Sequence, residues 1–361
     1  MDARQERSGG AAELMINGRW MSKPITGTER YAAEVTRELL KRDDVRATLL
    51  VPKDATIPPW AAGTPLIRSR LSGVLFEQLA LPVLSFGKHL VNLSGPAPLL
   101  KLNQSVVLFD ASTFRYRDTF SRAFALWYTI LYWTLTRTAK RVFTISQFSA
   151  QEIAEVVHVP ESRLTVALCG ADHASASPSR KPDLEVPERF ALFVGTLAER
   201  KNLAPVLRAF ARSGIPAVVV GAAGSSRVFS RTSGLGESNA MVTFARRLDD
   251  EEVYWLMENA TALVFPSLYE GFGLPVVEAQ TRGCPVICAD SSSLPEVTGE
   301  SALRFDPARP EEAVTLFERL ETEDGLRSRL VDLGRRNVER FTWAAAAATM
   351  VDAIRVKARR P

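Results

Sequence analysis

The chain has 361 residues, 46% of them hydrophobic and 24% charged, a balance that fits soluble globular domains and excludes fibrous or disordered classes. At this length two domains are expected, each large enough to bury its own core. A net charge of +4 comes without any nucleic-acid-binding motif, and three cysteines with no C-x-x-C pair argue against a disulfide framework and for a reduced, cytoplasmic compartment.

Residues 1–12 are polar and glycine-containing, without the apolar run a signal peptide needs, and read as a disordered tail. Beyond them short β-rich runs alternate with longer helical periods, the pattern of βαβ units and parallel sheets. Strands are predicted at 14–17, 48–51, 91–93, 106–109, 142–145 and 164–168, separated by helices at 28–41, 73–84, 121–138 and 147–157. These make a Rossmann-like N-terminal domain over 13–176. A Pro-, Ser- and charge-rich stretch, 177–188, breaks the pattern and reads as a linker. The alternation restarts in a C-terminal domain over 189–342, with strands at 190–194, 217–220, 241–244, 262–265, 286–288 and 302–305. Its helices fall at 203–213, 250–259, 275–282, 310–321 and 325–338, and an amphipathic helix at 343–359 closes the chain. Two doubly wound α/β domains facing each other would bring the C-terminal ends of both strand sets to one central cleft.

The basic excess lies in the first half. Arg115, Arg117, Arg122, Arg137, Lys140 and Arg141 flank an uncharged aromatic run, 123–133, too short to span a bilayer. Two readings stay open: a buried core helix with a solvated basic rim, or a surface that rests on anionic lipid through Trp, Tyr and Arg.

The most informative stretch is Glu270-Gly271-Phe272-Gly273-Leu274-Pro275-Val276-Val277-Glu278, directly after the apolar strand 262–265. It places two carboxylates around a glycine-rich turn that opens a helix. Pro275 suits the first helical position, where its missing N–H costs nothing. The free N–H groups of that first turn, with the Gly271 and Gly273 backbone, can receive an anion. Glu278, expected in the same first turn, is suited to accept hydrogen bonds from sugar hydroxyls. Phosphate donors and hydroxyl acceptors in one loop are the chemistry of a nucleotide-sugar pocket.

Further stretches follow a consistent order: Thr26-Gly27 at the first helix, Phe193-Val194-Gly195-Thr196-Leu197-Ala198-Glu199-Arg200-Lys201-Asn202, then Pro266-Ser267-Leu268-Tyr269-Glu270 and Ser293-Leu294-Pro295-Glu296-Val297. From about residue 14 to 343 the chain resembles the retaining glycosyltransferases of family 4, with their E-x7-E motif and two-domain GT-B fold. The resemblance implies a C-terminal helix crossing back onto the N-terminal domain. It assigns Lys201 to the leaving diphosphate, with Arg200 either sharing that role or pairing with a surface carboxylate. It sets Glu270 near the donor sugar as the second catalytic residue, and Glu278 on the ribose hydroxyls. Gly27, Thr196, Gly221, Leu248, Gly271, Phe272, Gly273 and Leu274 complete the implied donor site. For Gly27 a plain tight turn, and for Leu248 a plain core role, remain open. The family often carries an arginine after the glycine matching Gly195, where this chain has Thr196.

One departure concerns the end of the strand predicted at 106–109. The family usually has a His-Asp pair there, contacting donor sugar or acceptor, whereas this chain has Phe109-Asp110. Of the three histidines, His89 and His158 read as surface or core residues, while His173 lies near the expected interdomain crossing. No His/Cys/Asp cluster has metal-ligand spacing, and neither metal nor other cofactor is expected. The resemblance implies transfer of a hexose or deoxyhexose, mannose from GDP-mannose foremost and rhamnose next, to a lipid-linked glycan in surface polysaccharide or lipopolysaccharide biosynthesis. The enzyme would work in the cytoplasm at the inner face of the cytoplasmic membrane. Phe109 keeps a rival open, a catalytically impaired paralogue that binds a sugar nucleotide or a partner enzyme. Another GT-B enzyme, an epimerase or a phosphorylase, is the remaining alternative.

Overall fold

A computed structural model of the protein describes residues 11–195, 198–221, 241–245 and 248–356. The chain forms two compact units, one comprising residues up to Gly170 together with those from Trp343 onward, the other Ala171–Thr342.

The first unit is built on a seven-stranded parallel sheet: β1 (Ala12–Asn17), β2 (Val45–Val51), β3 (Leu66–Arg68), β4 (His89–Asn92), β5 (Gln104–Val107), β6 (Arg141–Thr144) and β7 (Leu164–Val166), in the order β3-β2-β1-β4-β5-β6-β7. Its central strands are buried along their length, as a sheet covered on both faces requires. Strand order reverses between β1 and β4, the switch point where loops diverge and ligands gather in such sheets. Crossovers between parallel strands are right-handed. The crossover through the Gly27–Leu40 helix, from β1 to β2, moves one way across the strand order and the crossovers after β3 and β5 move the other way, so their helices cover opposite faces. The Trp343–Arg355 helix packs on Gly27–Leu40, with Trp343 edge-on to Tyr31 at 5.6 Å between ring centroids.

The second unit has a six-stranded parallel sheet: β8 (Ala191–Val194), β9 (Ala217–Val220), β10 (Val242–Ala245), β11 (Ala262–Phe265), β12 (Val286–Ala289) and β13 (Leu303–Phe305), ordered β10-β9-β8-β11-β12-β13. Phe193, Phe210 and Phe317 interlock edge-to-face at 5.6 and 5.4 Å, tying β8 to the helices Leu203–Arg212 and Pro310–Thr322. Its switch point lies between β8 and β11.

Local departures from the sequence reading have physical causes. The stretch 177–188 is packed on the second unit and is no free linker. Leu184 and Val186 rest on that unit's core, and Arg180 reaches Asp249, Glu252 (3.0 Å) and Glu251 (3.4 Å) around the start of the Asp250–Asn259 helix. Its composition is that of a linker because its apolar residues are sparse, yet two suffice to anchor it. The predicted helix 73–84 is interrupted: α-helical turns Gly73–Leu75 and Leu81–Leu84 flank a π-helical stretch, Phe76–Ala80. β3, an exposed three-residue edge strand, has no alternating pattern to announce it. β5 ends at Val107, so Phe109 and Asp110 lie in the loop beyond it. The last helix is described over Trp343–Arg355, and residues 357–359 of its predicted span lie outside the described residues.

Candidate active site

At the switch point of the second sheet, β8 and β11 are hydrogen-bonded neighbours, and their loops meet. The loop after β8 makes one 3-10 turn, Glu199–Lys201, and is stopped by Asn202 in a left-handed conformation (φ 52°), whose side chain donates to Pro307 O at 3.1 Å. This delivers Lys201 onto the loop after β11. Its Nζ donates to Glu270 Oε1 and sits 5.3 Å from the Phe265 ring centroid. Arg200 Nη1 donates to Tyr269 O at 3.2 Å and lies 3.7 Å from Glu270 Oε2. The backbone tie Leu268 N–H to Arg200 O (2.8 Å) joins the two loops directly. Two cations and one carboxylate are thus concentrated where all three side chains are largely shielded from water, at 26%, 14% and 11% exposure for Arg200, Lys201 and Glu270. Low solvent access strengthens each of these charges toward a ligand.

Glu270 is held from behind by a serine frame. Its N–H donates to Ser292 Oγ and its carbonyl accepts from Ser293 Oγ, both at 3.0 Å, while Ser291 Oγ donates to Ser267 O at 2.7 Å. Ser292 adopts φ 52°, a left-handed conformation uncommon for serine. Ser293 belongs to the Ser293–Val297 stretch, whereas Ser291 and Ser292 lie outside every motif; the run of serines after β12 is the signal in sequence that marks them. Glu270 itself leads into the turn as expected. Gly273 takes φ 96°, a conformation that favours glycine, and a Cβ there would fall 2.8 Å from Leu294 Cδ2 and push that side chain aside. The Leu274–Thr281 helix starts at Leu274, which puts Pro275 second; its absent N–H is still one the helix would leave unpaired. Glu278 therefore falls beyond the first turn, where no acidic residue stands, and not within it as expected. There its Oε1 accepts from His173 Nε2 at 2.9 Å.

The other expected donor residues are distributed unevenly. Gly221 ends β9 at φ 90° so close to the β8 end that a Cβ would lie 3.2 Å from Gly195 O. Phe272 is buried edge-on to Phe341 at 5.3 Å, Gly271 is buried and Leu274 is half-buried. Leu248 packs partly buried on the core of the second unit. Thr196 lies outside the described residues.

In the first unit Gly27 opens its helix after Thr26, and a Cβ on it would meet nothing within 4 Å. Glu29, buried in the first turn, accepts from Thr26 and from Thr28 (2.9 Å) and lies 3.6 Å from Lys23. Phe109 packs edge-on to Tyr31 at 5.5 Å, joining the cluster that includes Trp343. Asp110 accepts from Ser112 N–H at 2.8 Å through Oδ1, and its carbonyl accepts from Tyr132 OH at 3.0 Å.

Two doubly wound parallel sheets and a basic, carboxylate-bearing switch point define a GT-B architecture. Residues 177–337 match the model of the glycosyl transferases group 1 family. O-antigen chain mannosyltransferase B of Escherichia coli is 29% identical over 233 residues, 61% of this chain and 61% of the relative, so less than two thirds of that relative's length is spanned. O-antigen chain mannosyltransferase RfbU of Salmonella typhimurium is 28% identical over 314 residues, 81% of this chain and 87% of the relative. Among solved structures, Anabaena HepE in complex with UDP and glucose superposes with a TM-score of 0.71 at 17% identity, covering 96% of this chain and 100% of HepE, a likeness of fold.

Proposed function

We propose that the protein is a retaining glycosyltransferase that moves a hexose, mannose first, from a nucleotide diphosphate to a lipid-linked glycan acceptor. The observation that carries this reading is the meeting of Lys201, Arg200 and Glu270 at the β8/β11 switch point. Cleaving a sugar–diphosphate bond leaves negative charge on the departing phosphate, which preorganised cations stabilise most. Lys201 and Arg200 take the diphosphate, Glu270 the donor sugar, and Glu278 the ribose hydroxyls. The relatives named above are mannosyltransferases of O-antigen chains, which supports mannose and a surface polysaccharide. GDP-mannose is the favoured donor, although the related HepE structure holds UDP. The impaired-paralogue reading keeps one specific observation in its favour: Phe109 is absorbed into an aromatic cluster and offers no polar group to a sugar.

Thermal shift across GDP-, UDP- and dTDP-sugars tests donor binding, because a ligand at 100 times its dissociation constant adds about 2.7 kcal/mol. A shift with one nucleotide series identifies the donor, and transfer to an acceptor then separates the transferase from a paralogue that only binds it. No shift with any, from folded protein, favours the paralogue. Once a donor is in hand, Lys201→Ala should lower turnover by roughly 10²–10³ while the thermal midpoint without ligand stays near wild type. Wild-type turnover in that variant would remove Lys201 from the mechanism.

A further inference from the structure

His173 and Glu278 are 105 residues apart in sequence and form a buried pair within the second unit. The imidazole is 3% exposed and the carboxylate 13%. Since a carboxylate only accepts, Nε2 is the donor of the 2.9 Å bond. Among the described residues His173 is the only polar partner of the Glu278 carboxylate. The histidine is itself clamped. Its short helix, Asp172–Ala176, begins where Ala171 N–H donates to Phe341 O at 2.9 Å, and Ser177 Oγ donates to His173 O at 3.0 Å. Arg282, just past the Glu278 helix, donates to Ser177 O and so links the two segments a second time. A flexible glutamate at a helix surface samples several rotamers, and a fixed donor on one oxygen removes that freedom before a ligand arrives.

We propose that His173 is a positioning residue for nucleotide recognition: it holds one oxygen of Glu278 so that the other accepts the vicinal hydroxyls of the donor's ribose. The proposal rests on the reading of Glu278 as the ribose acceptor. In this role His173 acts through Glu278, so its effect is confined to ligands that carry those hydroxyls.

The test is titration calorimetry on the full chain with GDP and UDP, each beside its 2′,3′-dideoxy form, in wild type, His173→Ala, His173→Gln and Glu278→Ala. The nucleotide that binds wild type carries the comparison. His173→Ala should weaken the ribose ligand about tenfold, the loss of one hydrogen bond to a charged group, and leave the dideoxy ligand unchanged. His173→Gln, whose amide nitrogen reaches roughly where Nε2 sits, should recover most of the loss. Equal weakening of both ligands reports a folding role and overturns the proposal, as does no weakening of either. Failure of the underlying reading looks different: Glu278→Ala would then keep wild-type discrimination between ribose and dideoxyribose. If neither nucleotide binds wild-type protein, both fall.

Discussion

His89 carries an imidazole into the buried heart of the first sheet, on β4, where Nδ1 meets Asn103 Oδ1 at 2.9 Å and Nε2 meets Ser105 Oγ at 2.8 Å. Burial pushes its pKa down to about 4, with Lys140, Lys101 and Arg141 adding to the effect and the Asn103 bond opposing it. The unfolded chain takes up this proton near 6.5, the folded one only near 4, so acid favours unfolding. The stability His89 contributes is whole above pH 6.5 and is lost as pH falls through about 4. Its size is on the order of 3 kcal/mol, felt by the first unit. An NMR titration should find one imidazole still neutral at pH 5 and silent in His89→Gln; a His89 that titrates near 6.5 would refute the assignment. At this scale the sequence was legible where local chemistry is decisive. Glycines, a proline and two glutamates within nine positions marked the β11 loop without any knowledge of neighbours. The His173–Glu278 bond was not legible, since it joins residues whose proximity depends on the fold of the whole second unit.

Among the elements, the helical segment 73–84 and the Arg122–Thr138 helix share one anomaly. Each buries an inner stripe, Phe76 and Leu81 in the first, Leu131 and Leu135 in the second. Each also turns large apolar residues outward: Val74, Leu75, Leu79 and Val83, then Phe86, on one side; Phe124, Leu126, Ile130 and Trp133 on the other. Both lie in crossovers that move the same way across the strand order and so cover the same sheet face, and Arg19 is ion-paired to Glu77 of the first. Leu100 and Leu102, 91% and 65% exposed, extend the apolar surface on a loop that Gln78 bonds at Ala97 and Leu99. Arg117 and Arg122 with Phe120 and Leu126 line a groove of about 450 Å³ beside it. No described helix is long and apolar enough to cross a membrane. In sequence the aromatic run stays open between core and lipid surface; the structure gives it one buried stripe and one exposed apolar face. The exposed apolar side of the 73–84 segment has no mark in sequence, because apolar residues fall on every side of it. Contact with an anionic bilayer is the proposal these faces support. Flotation with phosphatidylcholine vesicles containing phosphatidylglycerol should retain wild-type protein at low salt, and Leu79→Ser with Val83→Ser and Phe86→Ser should release it. Equal retention of the triple variant would remove this face from any membrane role.

Over the whole molecule, the chain's two units differ in how they are made. The second is one continuous segment, Ala171–Thr342, whereas the first is closed by the far end of the chain. Both sheets were legible because parallel strands buried on two faces leave dense apolar runs in sequence. The boundary near Gly170 was less so, because the segment that follows is fastened by ion pairs and two apolar side chains, too few to register as a pattern. The discontinuous assembly has a mechanical consequence. Trp343, among the largest fully buried side chains, packs edge-on to Tyr31, whose hydroxyl donates to Ala167 O at 3.1 Å. Arg141 and Arg355 pin the same helix to the starts of β6 and β2 through Ala353 O and Asp44 (2.7 Å). The closing helix is thus part of the first unit's core, and removing its anchor damages that unit alone. Trp343→Ala should cost the first unit about 3–5 kcal/mol, the range for deleting a large buried aromatic. Because two units need not unfold together, a single melting temperature would blur this loss. Hydrogen exchange resolves it: β1, β2, β5 and the Gly27–Leu40 helix should exchange faster in the variant while β8, β11 and β12 keep wild-type protection. Uniform acceleration across both sets would mean that the units fold as one cooperative body, and that the last helix stabilises the site around Lys201 as much as the sheet it packs on.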